Sequence, residues 1–305
     1  MKNGLKYHGA VVPMVTPFTA AGTLDGPALD RLTDMLLAAG VDGIFVLGTT
    51  GEGAYVPPAH RLQLVERVVA RTGKRAKVFA GLGDIRNSDM AEANAFLKAG
   101  ADAVVAHPPI AEKVPAAKLQ EWFKSLLDKV EGPLLLYNMP PTTGLSIPLD
   151  AVENLLGHPR LAGIKDSENN LHRLEELMTR FGGKKDFAVF VGVGALMEKG
   201  LKLGADGIVP SVGNLIPDTC RELCLAAQKS DWAQAEHLYA RMSNVAAVYQ
   251  KGRTLNESLA ALKAAVHCQG LCAPDVLPPL HSLPPIEVEK IRSQMEQLHL
   301  LNASV

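Results

Sequence analysis

Three short segments carry side chains whose types and spacing could do chemistry. The first is Leu161-Ala162-Gly163-Ile164-Lys165-Asp166-Ser167, in which a lysine ends an apolar run. Taking an amine out of water disfavours its charged form, and a neutral amine attacks a carbonyl to form a Schiff base. The alternatives are a lysine whose stem packs while its head reaches water, or one paired with Asp166. The second segment, Leu134 to Gly144, ends an apolar run with Tyr137-Asn138-Met139 ahead of a stiff Pro140-Pro141. A phenol there can give and take a proton if a cation lies beside it, or it can pack with its hydroxyl capped. The third is Gly48-Thr49-Thr50-Gly51-Glu52-Gly53. Glycines around two hydroxyls let successive backbone N–H groups point at one spot, an anion nest that suits a carboxylate. An ordinary glycine-rich turn is the other reading. No GxxxxGK[ST] is present, so it is a poor phosphate loop.

Each segment closes a short apolar run, and such runs recur. Strand-like stretches cover 10–16, 43–48, 77–83, 103–107, 133–138, 161–165, 187–192 and 207–210. Helical spacing fills 27–39, 58–72, 88–99, 115–130, 148–156, 170–181, 194–203 and 214–228 between and after them. Pro27, Pro58, Ser88, Pro115 and Pro148 mark helix starts, and Gly40, Gly100 and Gly204 mark left-handed ends. The phrases AAGVDGI, KAGADAV and KLGADGI precede the second, fourth and eighth strands. Strands this uniformly apolar have no wet face, so they form a parallel sheet covered outside by helices. Eight such units predict an α/β fold, a (β/α)8 TIM barrel over residues 1–228. A doubly wound sheet would show a glycine fingerprint after strand one, where Val15-Thr16-Pro17-Phe18 stands instead. Residues 229–305 lose the alternation and predict an all-helical appendage, with helices over 231–250, 255–269 and 285–300. Packing or oligomerisation is the expected role of that appendage. In a barrel the strand ends form the active face, so all three segments meet on one rim.

Composition bounds the rest. The 305 residues are 47% apolar and 21% charged, which excludes a disordered chain, a collagen-like repeat and a coiled coil. Thirty-one Lys plus Arg against 32 Asp plus Glu leave a net charge of −1, without a global pull toward nucleic acid or anionic membrane. No apolar run reaches the roughly 18–20 residues of a membrane helix. The first residues are broken by Pro13 and Pro17 and carry no small-residue cleavage site, so a cytoplasmic location is expected. The pairs Cys220/Cys224 and Cys268/Cys272 lack the short ligand spacings of a metal site and read as reduced, packed thiols. The sequons at Asn256 and Asn302 carry no meaning in a cytosolic chain.

Together, PMVTPF, GTTGE, YNMP, GIKDS and LGADGIVPSVGN, in this order along nearly the whole chain, resemble the N-acetylneuraminate lyase/dihydrodipicolinate synthase family of class I pyruvate aldolases and lyases. The resemblance implies that Lys165 forms the Schiff base with a keto carbon, that Tyr137 shuttles protons, and that Thr49 passes them along with it. It implies that Thr50 holds the carboxylate with the backbone amides of Thr49 and Thr50, that Gly48 and Gly192 border the substrate, and that the main chain of Val209 contacts pyruvate. It also implies a small-molecule keto-acid partner, no metal or organic cofactor, and a homotetramer built as a dimer of dimers.

The chain departs from both well-marked branches of that family. The synthases' substrate-binding arginine is matched by Thr142, and their second relay tyrosine by Ile110 in His107-Pro108-Pro109-Ile110. The sialic-acid lyases' acidic pair after strand seven is matched by Gly194-Ala195. A lyase of another 2-keto acid, such as a 2-keto-3-deoxy sugar acid, is therefore expected, and His107 and Thr142 are open as contacts to it. Dihydrodipicolinate synthase, a catalytically silent keto-acid-binding barrel, and a phosphosugar-binding barrel suggested by Gly192-Val193-Gly194 are the alternatives.

Overall fold

The computed structural model describes residues 7–83, 90–110 and 114–301. Eight parallel strands close in sequence order into a barrel: β1 (Gly9–Pro13), β2 (Gly43–Val46), β3 (Lys77–Gly81), β4 (Ala103–Ala106), β5 (Leu134–Asn138), β6 (Leu161–Asp166), β7 (Ala188–Val191) and β8 (Gly207–Ile208). The barrel is the (β/α)8 architecture that the repeated pattern predicts. Helices α1 (Gly26–Ala38), α2 (Pro58–Thr72), α3 (Ala91–Lys98), α4 (Leu119–Lys129), α5 (Pro140–Thr143), α6 (Leu149–Leu155), α7 (Leu171–Phe181), α8 (Met197–Lys202) and α9 (Pro217–Gln228) follow the strands. Three more, α10 (Trp232–Gln250), α11 (Leu255–Cys268) and α12 (Pro285–Gln297), come after them without intervening strands.

Local chemistry explains most boundaries. Asp25 caps α1 by accepting from the Ala28 amide at 3.0 Å, and Asn170 caps α7 from Arg173 at 3.1 Å. Thr254 and Glu257 form a reciprocal capping box that starts α11. Gly40, Gly100 and Gly204 all adopt positive φ, as their positions after helices predict. The strands are shorter than the apolar runs suggest. Residues 14–16 and 47–48 leave the ladder, because the chain must turn outward at the rim and apolar side chains continue into that turn. The stretch 194–203 splits into a 3-10 turn and α8, and 214–228 begins as a helix only at Pro217. The double proline opens α5, a one-turn helix that the apolar pattern does not reveal, because proline fits a first helical turn where no N–H donor is needed. The start signal at Ser88 and the sequon at Asn302 lie outside the described residues.

Alternation along the strands sorts side chains into two cores. Outward residues pack against the helices, while Val11, Phe45, Phe79, Val105, Leu135, Phe190 and Val209 fill the barrel interior. Tyr7 closes the bottom, its ring edge-on to Phe79 at 5.2 Å and its hydroxyl donating to the Asp102 carbonyl at 2.6 Å. Each buried phenylalanine contributes about 1.5–3 kcal/mol, so the interior is a packed core and not a channel. Any site must open at the strands' carboxyl ends. Among the described residues, no helix is long and apolar enough to cross a membrane.

Candidate active site

The β5–β6 ladder brings the two sharpest residues together. Tyr137 pairs with Lys165 and Asn138 with Asp166, and neighbours across a parallel ladder point to the same side. This register depends on an irregularity: Leu134 pairs with Leu161 but Leu135 pairs with Gly163, so Ala162 is the extra residue of a bulge. Without it Tyr137 would face Ile164, and Lys165 would point to the helices. Gly163 lies so close to β7 that a Cβ there would stand 2.3 Å from the Ala188 carbonyl oxygen.

Lys165 is 7% exposed. Its Nζ lies 3.9 Å from the centre of the Tyr137 ring and 4.9 Å from that of Phe45, a cation–π cradle on two sides. The Tyr137 and Thr49 hydroxyls are 3.2 Å apart, and the His107 ring meets Tyr137 edge-on at 6.3 Å. A cavity of about 470 Å³ adjoins Tyr137, lined by Gly48, Thr49, His107, Tyr137, Thr142 and Asn256, among others, whereas Lys165 is not among its lining residues. Thr142 Oγ1 is buried in it without a hydrogen-bond partner among the described residues.

Not every expected residue lines that cavity. Thr50 is half-buried in the adjoining turn, and Val209 belongs to the barrel interior beneath. Gly192 backs onto Lys165 and borders a second cavity, of about 450 Å³, between the β7 and β8 rim and α10. Its lack of a side chain leaves room beside Lys165 and Ser167. A Cβ there would stand 2.8 Å from Lys165 Cε and 2.1 Å from Ser167 Oγ, itself a buried hydroxyl without a partner among the described residues.

The pairing of Lys165 with Asp166 weighed from the sequence does not form. Successive strand residues face opposite ways, so Asp166 points out of the barrel, where Asn138 Nδ2 and Arg173 Nε each donate to it at 2.9 Å. Burial pushes the Asp166 carboxyl above its ordinary range, against the pull of Arg173 and these hydrogen bonds. Beside it, Glu168 accepts from Ser146 and Asn138. Burial opposes its charge, but those bonds and Arg173 outweigh it and hold Glu168 below the usual range. This network ties Asn138 and Asp166, the outward neighbours of the two inward residues, to the loop after β5.

The 48–53 turn is tightly built. Gly53 donates to the Gly48 carbonyl at 2.9 Å and Glu52 to that of Thr49 at 3.1 Å, while a Cβ on Gly53 would stand 1.8 Å from the Leu47 oxygen. Two features are silent in the sequence. Glu52 is buried in an ion pair with Lys263 of α11, and Thr254, Leu255 and Asn256 at the start of α11 line the cavity. The capping box marks that helix start, but no local signal says that it returns to the rim. Among the described residues no three His, Cys, Asp or Glu side chains converge as a metal site requires. The four cysteines are free thiols, and burial raises Cys220, Cys224, Cys272 and Cys268 above their ordinary pKa.

Comparison with known proteins points to one family. Residues 6–298 match the model of the dihydrodipicolinate synthetase family. The 4-hydroxy-tetrahydrodipicolinate synthase of Pseudomonas aeruginosa is 32% identical over 294 residues, covering 96% of this chain and 99% of that one. Dihydrodipicolinate synthase from Bacteroides thetaiotaomicron superposes with a TM-score of 0.89 at 29% identity, over 96% of this chain and 99% of that one. YagE, a prophage protein of the same family from E. coli K12 solved with pyruvate, also gives 0.89 at 29% identity, over 97% and 99%.

Proposed function

This chain belongs to the dihydrodipicolinate synthetase family, whose members are pyruvate-dependent carbon–carbon lyases, and we propose that it cleaves or forms a 2-keto-3-deoxy acid through a Schiff base on Lys165. The observation that carries the reading is the β5–β6 register, with the Lys165 amine against the Tyr137 ring and the Tyr137 hydroxyl within 3.2 Å of Thr49. In cleavage, the Lys165 nitrogen attacks the keto carbon and water leaves, giving a protonated imine. Tyr137 takes the proton from the C4 hydroxyl, the C3–C4 bond breaks, and its electron pair flows into the imine to form an enamine as the aldehyde departs. The enamine is reprotonated at C3, and water hydrolyses the imine to release pyruvate and free Lys165. Synthesis is the reverse. Thr49 hands the proton between Tyr137 and the substrate oxygen. The Gly48–Thr50 amides and the Thr50 hydroxyl hold the carboxylate so that the breaking bond aligns with the imine π system, and Gly192 and Val209 bound the three-carbon unit.

The polar lining supports a hydroxylated aldehyde portion. His107, Thr254 and Asn256 border the cavity, and the unpartnered Thr142 hydroxyl stands where the synthases carry arginine. The names of the curated relatives favour a second reading, condensation of pyruvate with aspartate semialdehyde. A pyruvate-release assay over a panel of 2-keto-3-deoxy acids, run beside the condensation assay, separates the two. Borohydride trapping with pyruvate tests the shared premise: the adduct should map to Lys165 and vanish in Lys165→Ala. No adduct would favour a silent keto-acid-binding barrel. Under this proposal the enzyme works as a cytoplasmic homotetramer, and sedimentation of the purified protein checks the assembly.

A further inference from the structure

Glu52 ends the nest but takes no part in the chemistry proposed above. It is 2% exposed, and its carboxylate is bonded to the segment that follows α10. One oxygen pairs with Lys263 Nζ on α11, and the other accepts from the Leu277 amide at 2.7 Å. Lys263, 1% exposed, also donates to the Asp275 carbonyl at 2.8 Å and sits 5.7 Å from the centre of the Phe18 ring. One carboxylate thus gathers α11 and the loop after it against the rim.

The backbone around it is equally specific. Leu47 (φ 58°) and Glu52 (φ 57°) both hold the left-handed conformation without being glycine. Such residues persist only where their surroundings over-determine them, and they bracket residues 48–51 of the turn. Arg61 holds the same turn from the other side, donating to the Gly53 carbonyl and, at 3.1 Å, to that of Gly81. A buried ion pair is a weak source of net stability, because desolvation offsets the attraction, but removing one partner leaves an uncompensated buried charge.

We propose that Glu52 and Lys263 are positioning residues for keto-acid binding: their pair locks the 48–53 turn in its carboxylate-binding shape and makes that shape depend on docking of the C-terminal helices. The inference rests on the proposed function, since the nest's ligand is the keto acid's carboxylate. The whole C-terminal segment then acts as part of the substrate site and not only as an outer layer.

The test compares the full-length parent with Glu52→Met/Lys263→Met, which replaces the pair by apolar side chains of similar length, and with Lys263→Gln, which keeps a neutral donor toward Glu52. Pyruvate binding is read by calorimetry, and Schiff-base formation by the rate of borohydride trapping against pyruvate concentration. The double variant should melt within a few degrees of the parent. Its pyruvate dissociation constant and half-saturating concentration should rise about tenfold or more, with the trapping rate at saturation within about threefold. Lys263→Gln should show a smaller rise, of about threefold. A folded double variant whose pyruvate affinity stays within about twofold overturns the inference. Failure of both variants to fold also overturns it, by making the pair purely structural. If the parent binds pyruvate but forms no adduct, the Schiff-base reading fails alone and calorimetry still decides the role of the pair. A parent that does not bind pyruvate refutes both.

Discussion

Replacing Gly192 by alanine isolates how much of the proposed chemistry depends on the position of one nitrogen. Gly192 lies outside the positive-φ region, so its backbone accepts alanine and only the added methyl matters. That carbon would stand 2.1 Å from Ser167 Oγ and 2.8 Å from Lys165 Cε, where ordinary contact begins at 3.4 Å. The serine hydroxyl can rotate away. The lysine cannot retreat as easily, because the Phe45 and Tyr137 rings flank its nitrogen at 4.9 and 3.9 Å. A shift of roughly 0.6 Å closes the shortfall at Cε, and a misplacement of about 1 Å costs on the order of a hundredfold in rate. Gly192→Ala should therefore slow borohydride-trapped adduct formation about 10- to 100-fold. Overpacking should cost about 1–3 kcal/mol of stability, leaving a folded protein. Intact-mass spectrometry of timed trapping reactions, with a urea titration beside it, reads both. An adduct formed at the parental rate would refute the claim that Gly192 keeps space for Lys165.

Three further outcomes follow from the same geometry. Tyr137→Phe removes the proton carrier but keeps the ring beneath the lysine, so turnover should fall about 10²- to 10⁴-fold while the pyruvate adduct still forms; near-normal turnover would take the phenol out of the scheme. Asn214 is fully buried, accepts from the Val15 amide at 2.9 Å, and donates to the Pro13 and Ser211 carbonyls at 2.9 and 2.8 Å. Asn214→Ala removes these three bonds from a buried site and should cost about 2–4 kcal/mol, read as a lower denaturation midpoint; a loss under about 1 kcal/mol would contradict it. Burial pushes the Cys272 thiol from 9.0 up to about 12, so below pH 9 folded and unfolded states both keep the proton. Above pH 9 the unfolded thiol ionises first, and stability falls by about 1.4 kcal/mol per pH unit until the folded pKa is reached. Tyr7, Tyr249, Cys220 and Cys224 shift the same way, so the melting temperature should be level to about pH 8.5 and drop beyond 9, and a level profile at pH 10 would disprove this.

Eight apolar runs, each followed by a helical stretch and several of them punctuated by a proline start or a glycine stop, determine the barrel without reference to anything distant. Hydrophobic periodicity and glycine or proline punctuation are local properties, and a parallel sheet needs no more than their repetition. The same locality makes GTTGE, YNMP and GIKDS readable, because each is a contiguous strand end on the active rim. Only the tertiary structure decides which way those residues face. The Ala162 bulge turns Lys165 inward beside Tyr137 and sends Asp166 outward to Arg173, and nothing in an apolar run marks a one-residue shift in pairing. The Glu52–Lys263 pair joins residues 211 positions apart, and α11 reaches the cavity through Thr254 and Asn256. Contacts across such separations arise from closing the barrel and laying the last helices over it, and sequence spacing holds no record of a distance set by folding.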